Sequence, residues 1–288
     1  RIMAAIEETS SKKAYGGHIE QYKHQSQCVA GEMSFGVYIP PGEGKFPALF
    51  YLSGLTCSPK NCIEKGNAFK SAAEAGVMLV FPDTSPRDCK IEGDRDNWDF
   101  GVAAGFYLNA TEPKWKKNYN MATYITQELP GILRKEFPFN GKMSITGHSM
   151  GGHGALVTFL RNPGMFVSCS AFAPICNPIN CPWGQKAFSG YLGSDKKSWE
   201  NWDATELMKK YNGPKTSILI DQGVEDGFYK QKQLLPEAFV AACKQKGHPV
   251  ICRMQEGYDH SYYFVSTFMA DHVWYHADML YGETKYLS

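Results

Sequence analysis

The chain lacks several features that would commit it to a class. No run of 18 or more apolar residues occurs, so no membrane-spanning helix is expected. Charge of neither sign dominates. Lys+Arg is 30 and Asp+Glu is 29, for a net charge of +1. Nucleic-acid and anionic-membrane partners select for a one-sided basic field, so neither is expected. The N-terminal stretch has no apolar core of a signal peptide. Nine cysteines are present, an odd number, and no pair has Cys-x-x-Cys spacing. With no export signal, that usage fits a reduced, cytoplasmic protein of mostly buried, inert thiols, and no metal site is expected. Internal repeats, low-complexity tracts and linkers are also missing, so residues 1–288 read as one domain. Its core is expected over about 14–281, with 1–13 and 283–288 flexible.

What is present is a core. Hydrophobic residues make up 43% of the chain. Strand-like runs recur at Ser34–Ile39, Ala48–Ser53, Val77–Phe81, Met143–Thr146, Ser168–Ala173, Ser217–Asp221 and Val250–Met254. Several are almost continuously apolar, as suits parallel strands covered on both faces. Helical patterns lie between them, at about Lys60–Ala75, Met121–Phe137, Gly151–Arg161, Gln233–Lys246 and Ser261–Leu280. The alternation predicts an α/β fold with a mostly parallel central sheet and helices on both faces. Residues 14–40 carry no helical pattern and predict antiparallel edge strands at the N-terminus. Two irregular stretches, Asp83–Asn118 and Pro174–Trp202, are candidate walls of a pocket.

The most informative segment is Gly147-His148-Ser149-Met150-Gly151. It follows a strand-like run and precedes a helical one. In that context Gly-x-Ser-x-Gly denotes a nucleophile elbow, the strand-to-helix turn of an α/β-hydrolase. A serine is a weak nucleophile at neutral pH and needs a base to take its proton. In this fold the partners follow in the order Ser, acid, His. Of the eight histidines, His18 and His24 precede the elbow. His148 and His153 flank Ser149, where the turn is expected to aim their side chains elsewhere. His248 precedes a strand, at the wrong end of the sheet. His272 and His276 are spaced i, i+4, but Val273 stands where a His-Glu-x-x-His metal motif needs Glu, which leaves surface or packing roles. His260 follows a strand and a turn and directly precedes the last helix, so it is the expected base. The acid is expected after Ser217–Asp221. Asp226, at the loop tip, is the first choice and Glu225 the second. Asp221 is expected to brace the loop, and Asp259 to be a surface or turn residue.

A tetrahedral intermediate also needs donors for its oxyanion. The backbone N–H of Met150, just after the nucleophile, is one candidate. The N–H of Leu55, in the early loop Ser53-Gly54-Leu55-Thr56-Cys57, is the other.

Together with the elbow, six blocks make the chain resemble the S-formylglutathione hydrolase (esterase D) family. They are Ser53–Cys57, Pro82–Arg87, Gly147–Leu156, Ser170–Pro178, Ala187–Gly193 and Glu256–Phe264, and the resemblance runs from about Gly16 to about Tyr281. It implies a cofactor-free α/β-hydrolase that cleaves S-formylglutathione to glutathione and formate in formaldehyde detoxification. A side activity on short-chain esters, a cytoplasmic location and a homodimer are implied too. The family's triad falls on Ser149, Asp226 and His260. Arg87-Asp88-Cys89 and Glu283–Ser288 depart from the family pattern. Glutathione carries two carboxylates, for which Arg87, Gln185 and Lys186 are candidates by position. Trp183 or Phe188 could pack on its backbone, or belong to the core. Cys57 reads equally as a thiol near the site and as a packing residue. Two rival readings remain: a broad carboxylesterase, and a binding protein that has lost its chemistry. The second class usually lacks a triad member.

Overall fold

Nine strands form one sheet in a computed structural model that describes residues 5–283. They are β1 (Glu7–Ala14), β2 (Gly17–Ser26), β3 (Gly31–Ile39), β4 (Phe46–Leu52), β5 (Met78–Pro82), β6 (Phe139–Gly147), β7 (Cys169–Phe172), β8 (Ile218–Gly223) and β9 (Val250–Gln255). Their spatial order is β1-β2-β3-β5-β4-β6-β7-β8-β9. The first three strands and the β3–β5 pair are antiparallel, and the remaining neighbours from β5 to β9 are parallel. This is the α/β-hydrolase arrangement, with a mostly parallel sheet and an antiparallel N-terminal edge.

All seven residues of β4 are buried, as are all five of β5, which accounts for their unbroken apolar sequences. Helices cover both faces. On one side Phe69–Ala75 packs against the long helix Tyr262–Tyr281. On the other, Met150–Arg161 and Pro236–Lys246 both pack against Ala204–Lys210.

The structure corrects the expected boundaries in three places. Residues 7–13, expected to be flexible, form most of β1 and pair with β2. Glu7 to Ala14 is almost wholly exposed and rich in charge, so nothing in its own pattern marks a strand. Residues 1–4 and 284–288, also expected to be flexible, lie outside the described residues. The helix expected over Lys60–Ala75 is two helices, Pro59–Lys65 and Phe69–Ala75, parted at Gly66 and at Asn67, whose φ is +56°. The helix expected over Met121–Phe137 contains a π-turn, Tyr124–Glu128, followed by Leu129–Glu136. Pro130 has no N–H to give to the preceding turn and its ring crowds it, so the helix widens there. Glu128, at the end of the π-turn, accepts from Ser26 Oγ at 2.6 Å and from the Gln27 and Cys28 amides at 2.9 and 3.1 Å. That carboxylate fastens the β2–β3 turn to the helical layer.

A buried polar chain joins the sheet to the last helix. Ser144 and Thr146 on β6, and Ser168 and Ser170 beside them, alternate along their strands and so face one way. Ser168 Oγ lies 2.7 Å from His276 Nδ1 and from Ser144 Oγ, and Ser170 Oγ donates to Thr146 Oγ1 at 2.8 Å. Ser170 Oγ also lies 2.7 Å from His276 Nε2 and 2.8 Å from His272 Nδ1. His272 Nε2 meets Asp221 Oδ2 at 2.8 Å, and Arg253 and Gln255 donate to the same carboxylate. Both histidines are fully buried, so of the two expected roles they have packing and not surface. Asp221, expected to brace the loop that follows it, instead ties β8 to Arg253 and Gln255 of β9 and to His272 of the last helix. Burial pushes its carboxyl up, but hydrogen bonds from His272 and Arg253 outweigh this and bring it from an ordinary 3.8 to about 2.

Because the folded chain holds the Asp221 proton more weakly than the unfolded chain does, this stabilisation is complete above pH 3.8. It is lost as pH falls through about 2. Asp221→Asn should lower unfolding free energy in urea at pH 7 by about 3 kcal/mol, the scale of a broken buried pair. It should also flatten the fall in stability between pH 4 and 2.

Candidate active site

Leu52, Gly147 and the helix Met150–Arg161 meet where β4 and β6 end. The turn at Ser149 has φ +60° and ψ −118°, a backbone state that costs a non-glycine residue of order 1–3 kcal/mol. Its neighbours make the turn possible. A Cβ on Gly151 would lie 1.9 Å from the Leu52 carbonyl oxygen, so only glycine fits there. Ser149 sits at the N-cap of its helix and is 4% exposed.

The loop after β4 lies directly against this turn. A Cβ on Gly54 would come within 3.2 Å of Ser149 Cβ and 3.1 Å of the His148 carbonyl oxygen. The loop is fixed from behind. Tyr107 Oη donates to Ser53 O at 2.8 Å, the Thr56 amide to Ala103 O at 3.0 Å, and Thr84 Oγ1 to Cys57 O at 2.6 Å. Arg87 grips Asp83 with two nitrogens, each at 2.7 Å, and donates to Cys57 O at 2.9 Å. The Leu55 amide makes no backbone hydrogen bond among the described residues. Met150, as first residue of its helix, has no acceptor one turn before it.

His260 and Asp226 form the other half. Asp226 is fully buried at the start of the one-turn helix Gly227–Lys230, and its Oδ2 lies 2.5 Å from His260 Nδ1. Its Oδ1 accepts from the Phe228 and Tyr229 amides at 2.8 and 3.2 Å, and Gln222 Nε2 donates to Oδ2 at 3.2 Å. Burial raises this carboxyl, but the His260 contact and the two amides outweigh it and hold it below the usual range. The carboxylate is therefore ionised at neutral pH and pointed at Nδ1, which leaves Nε2 as the other face of the ring. Glu225, the second choice for the acid, is exposed and paired with Lys230 instead. Asp259 turns back to cap Ser261, as expected of a turn residue.

Ser149 and His260 line one cavity of about 260 Å³. Its walls include Leu55, Cys57, Trp98, His148, Trp183, Phe228 and Tyr262. Aromatic rings follow one another along it: Trp98 meets Trp183 edge-on with centroids 5.8 Å apart, Trp183 lies 4.6 Å from Phe228, and Phe228 lies 4.8 Å from His260.

Several expectations need correction. His148, expected to point away, faces the site. Its ring lies 4.6 Å from that of His260, and neither of its nitrogens has a partner among the described residues. Burial first, and the neighbouring His260 second, push it well below the ordinary histidine range, so it is a neutral wall. Of the six candidate substrate contacts, Cys57 and Trp183 line the cavity, and burial raises the Cys57 thiol. Phe188 does not. It is fully buried against His153 and Trp199 in the core. Arg87 is taken up by Asp83 and Cys57 O and serves the loop from behind. Lys186 is held by Asp99 at 2.5 Å and Asn97 at 3.0 Å, and Gln185 donates to Ile179 O at 3.0 Å. None of these three lines the cavity. Trp98, Phe228 and Tyr262 were missed in the sequence. Trp98 falls in the irregular stretch Asp83–Asn118, and the other two sit two residues after Asp226 and His260, so proximity to those positions was the available signal.

A model of the esterase family, described as putative esterase, matches residues 26–276. An S-formylglutathione hydrolase of Bos taurus is 53% identical over 279 residues, covering 96% of this chain and 99% of that protein. One of Arabidopsis thaliana is 51% identical over 284 residues, covering 97% and 99%. The solved structure of an S-formylglutathione hydrolase from Agrobacterium tumefaciens superposes with a TM-score of 0.92 at 44% identity, covering 95% of this chain and 99% of that one. A nucleophile elbow, an imidazole on a buried carboxylate and near-complete alignment with these enzymes agree: the chain belongs to the esterase family and, within it, to the S-formylglutathione hydrolases.

Proposed function

We propose that the protein hydrolyses S-formylglutathione to glutathione and formate, with Ser149 as nucleophile, His260 as base and Asp226 as its orienting acid. The observation that carries the reading is the 2.5 Å contact between Asp226 and His260 Nδ1, on an imidazole that shares one cavity with a serine in a strained elbow. The substrate is taken from the similarity to enzymes of that name.

On this reading Ser149 Oγ attacks the formyl carbon while His260 Nε2 takes its proton. Asp226 holds the Nδ1 proton and stabilises the imidazolium that results. The amides of Leu55 and Met150 receive the oxyanion. As the C–S bond breaks, His260 returns the proton to the departing sulfur, and glutathione leaves. Water then attacks the formyl-enzyme, giving its proton to His260. Collapse releases formate and restores the Ser149 hydroxyl. The buried, neutral ring of His148 adds no positive charge beside the imidazolium. A homodimer, a cytoplasmic location and a role in formaldehyde removal belong to the same reading and rest on the family resemblance.

Ser149→Ala should lower kcat by roughly 10⁵–10⁶-fold, and Asp226→Asn by about 10⁴-fold, with folding retained by circular dichroism. Near-normal turnover by the serine variant would exclude the mechanism. Gly54→Ala forces the loop from the elbow by a few tenths of an ångström. It should reduce kcat by about tenfold or more while KM changes little, since a displaced donor acts on the transition state. The rival reading, a general carboxylesterase, predicts a kcat/KM for S-formylglutathione less than about tenfold above that for aryl acetates, a margin of about 1.4 kcal/mol.

A further inference from the structure

We propose that a groove opening from the catalytic cavity over Lys65 is the subsite for a carboxylate of the thiol leaving group, with Lys65 as its cation. The assignment rests on the function proposed above, since it is the glutathione portion of the substrate that carries the charge. That portion has two carboxylates and one ammonium, so the leaving group is anionic. Thiol chemistry puts the sulfur beside Ser149 and the carboxylates at the peptide ends, outside the cavity.

Second, the cavity itself offers no charge to receive them. Among the described residues its lining contains no Lys, Arg, Asp or Glu, and Asp226 is sealed behind His260. Arg87 and Lys186, the cations suggested by position in the sequence, are already bound to Asp83 and Asp99. A second cavity, of about 500 Å³, adjoins the first. The two share Ser261 and Tyr262, and the second is completed by Lys65, Tyr263 and Ser266. Lys65 is its one charged lining residue, and makes no ion pair or side-chain hydrogen bond among the described residues.

Third, the groove is suited to a peptide. Lys65 ends the helix Pro59–Lys65, while Tyr263 lies in the first turn of the helix Tyr262–Tyr281 that follows His260. The Tyr263 ring is 85% exposed, an apolar face beside a cation. Burial raises the Cys57 thiol, and the Lys65 ammonium offsets part of that rise, so Lys65 lies near the wall of the catalytic cavity that Cys57 lines. An extended chain advances about 3.3–3.6 Å per residue, so a single residue beyond the cysteine carries a carboxylate out of the cavity and into the adjoining groove.

The test compares wild-type enzyme, Lys65→Met and Lys65→Arg on S-formylglutathione and on a neutral formyl thioester of mercaptoethanol, with S-methylglutathione as a non-hydrolysed inhibitor. In Lys65→Met the ratio of kcat/KM between the charged and neutral thioesters should fall about fivefold at low ionic strength, through KM. The inhibition constant of S-methylglutathione should rise by the same factor, and Lys65→Arg should restore both. Salt should erase most of the difference. An unchanged ratio, equal losses on both thioesters, or an inhibition constant indifferent to the methionine would overturn the subsite. Failure of the wild-type enzyme to turn over S-formylglutathione would instead overturn the proposed substrate, and inhibition of ester hydrolysis by S-methylglutathione would still read Lys65.

Discussion

The site depends on backbone packing against backbone where β4 and β6 end. Gly151 lies so close to the Leu52 carbonyl that no side chain could be inserted, and Gly54 rests on Ser149 itself. Two segments almost a hundred residues apart are thereby locked at a separation set by van der Waals contact. The serine and the loop that faces it cannot drift independently. Preorganisation of that kind is what an oxyanion site needs, because its donors must be in place before charge develops. Strain at Ser149 is tolerable because the hydrogen bonds of the loop and the helix over-determine the turn.

Charge is managed on two levels. Near the cavity, one buried carboxylate is matched to one imidazole, and a second imidazole is kept neutral by burial. Behind β7 and β8, Asp221, Arg253, His272, His276 and four hydroxyl residues form a separate polar chain in which nearly every group has a partner. The two systems come within one residue of each other on β8. Asp221 belongs to the rear chain, and Gln222, pointing the opposite way, touches Asp226. The alternation of a strand thus carries structural and site residues on its two faces without mixing them.

The parallel half of the sheet was legible because buried strands are apolar throughout, as β4 and β5 are. Chain order pointed to Ser149, Asp226 and His260, and these do gather at one cavity and one hydrogen bond. What escaped was whatever depends on distant partners. Glu7–Ala14 has the composition of a tail and becomes a strand only through pairing with β2. Arg87 looked free because Asp83 and the Cys57 carbonyl reach it through loop geometry that no spacing rule describes. His148 was sent away from the site on account of the sharp turn, but the segment after β9 folds back over that turn and brings His260 to it. The rear network left a fainter trace, in which hydroxyl residues two apart, Ser144 and Thr146 on β6 and Ser168 and Ser170 just before and on β7, oppose histidines one helical turn apart.

The outermost strand β1 has a further consequence. A sheet that ends in open backbone donors and acceptors invites another chain to continue it. Here the terminal ribbon bears Glu7, Glu8, Lys12 and Lys13 and is exposed along most of its length. A stranger pairing there would have to desolvate this mixture of ammonium and carboxylate groups. Clipping the ribbon away would bare β2, whose alternating buried positions, such as Ile19, would then offer a stickier rim to self-association.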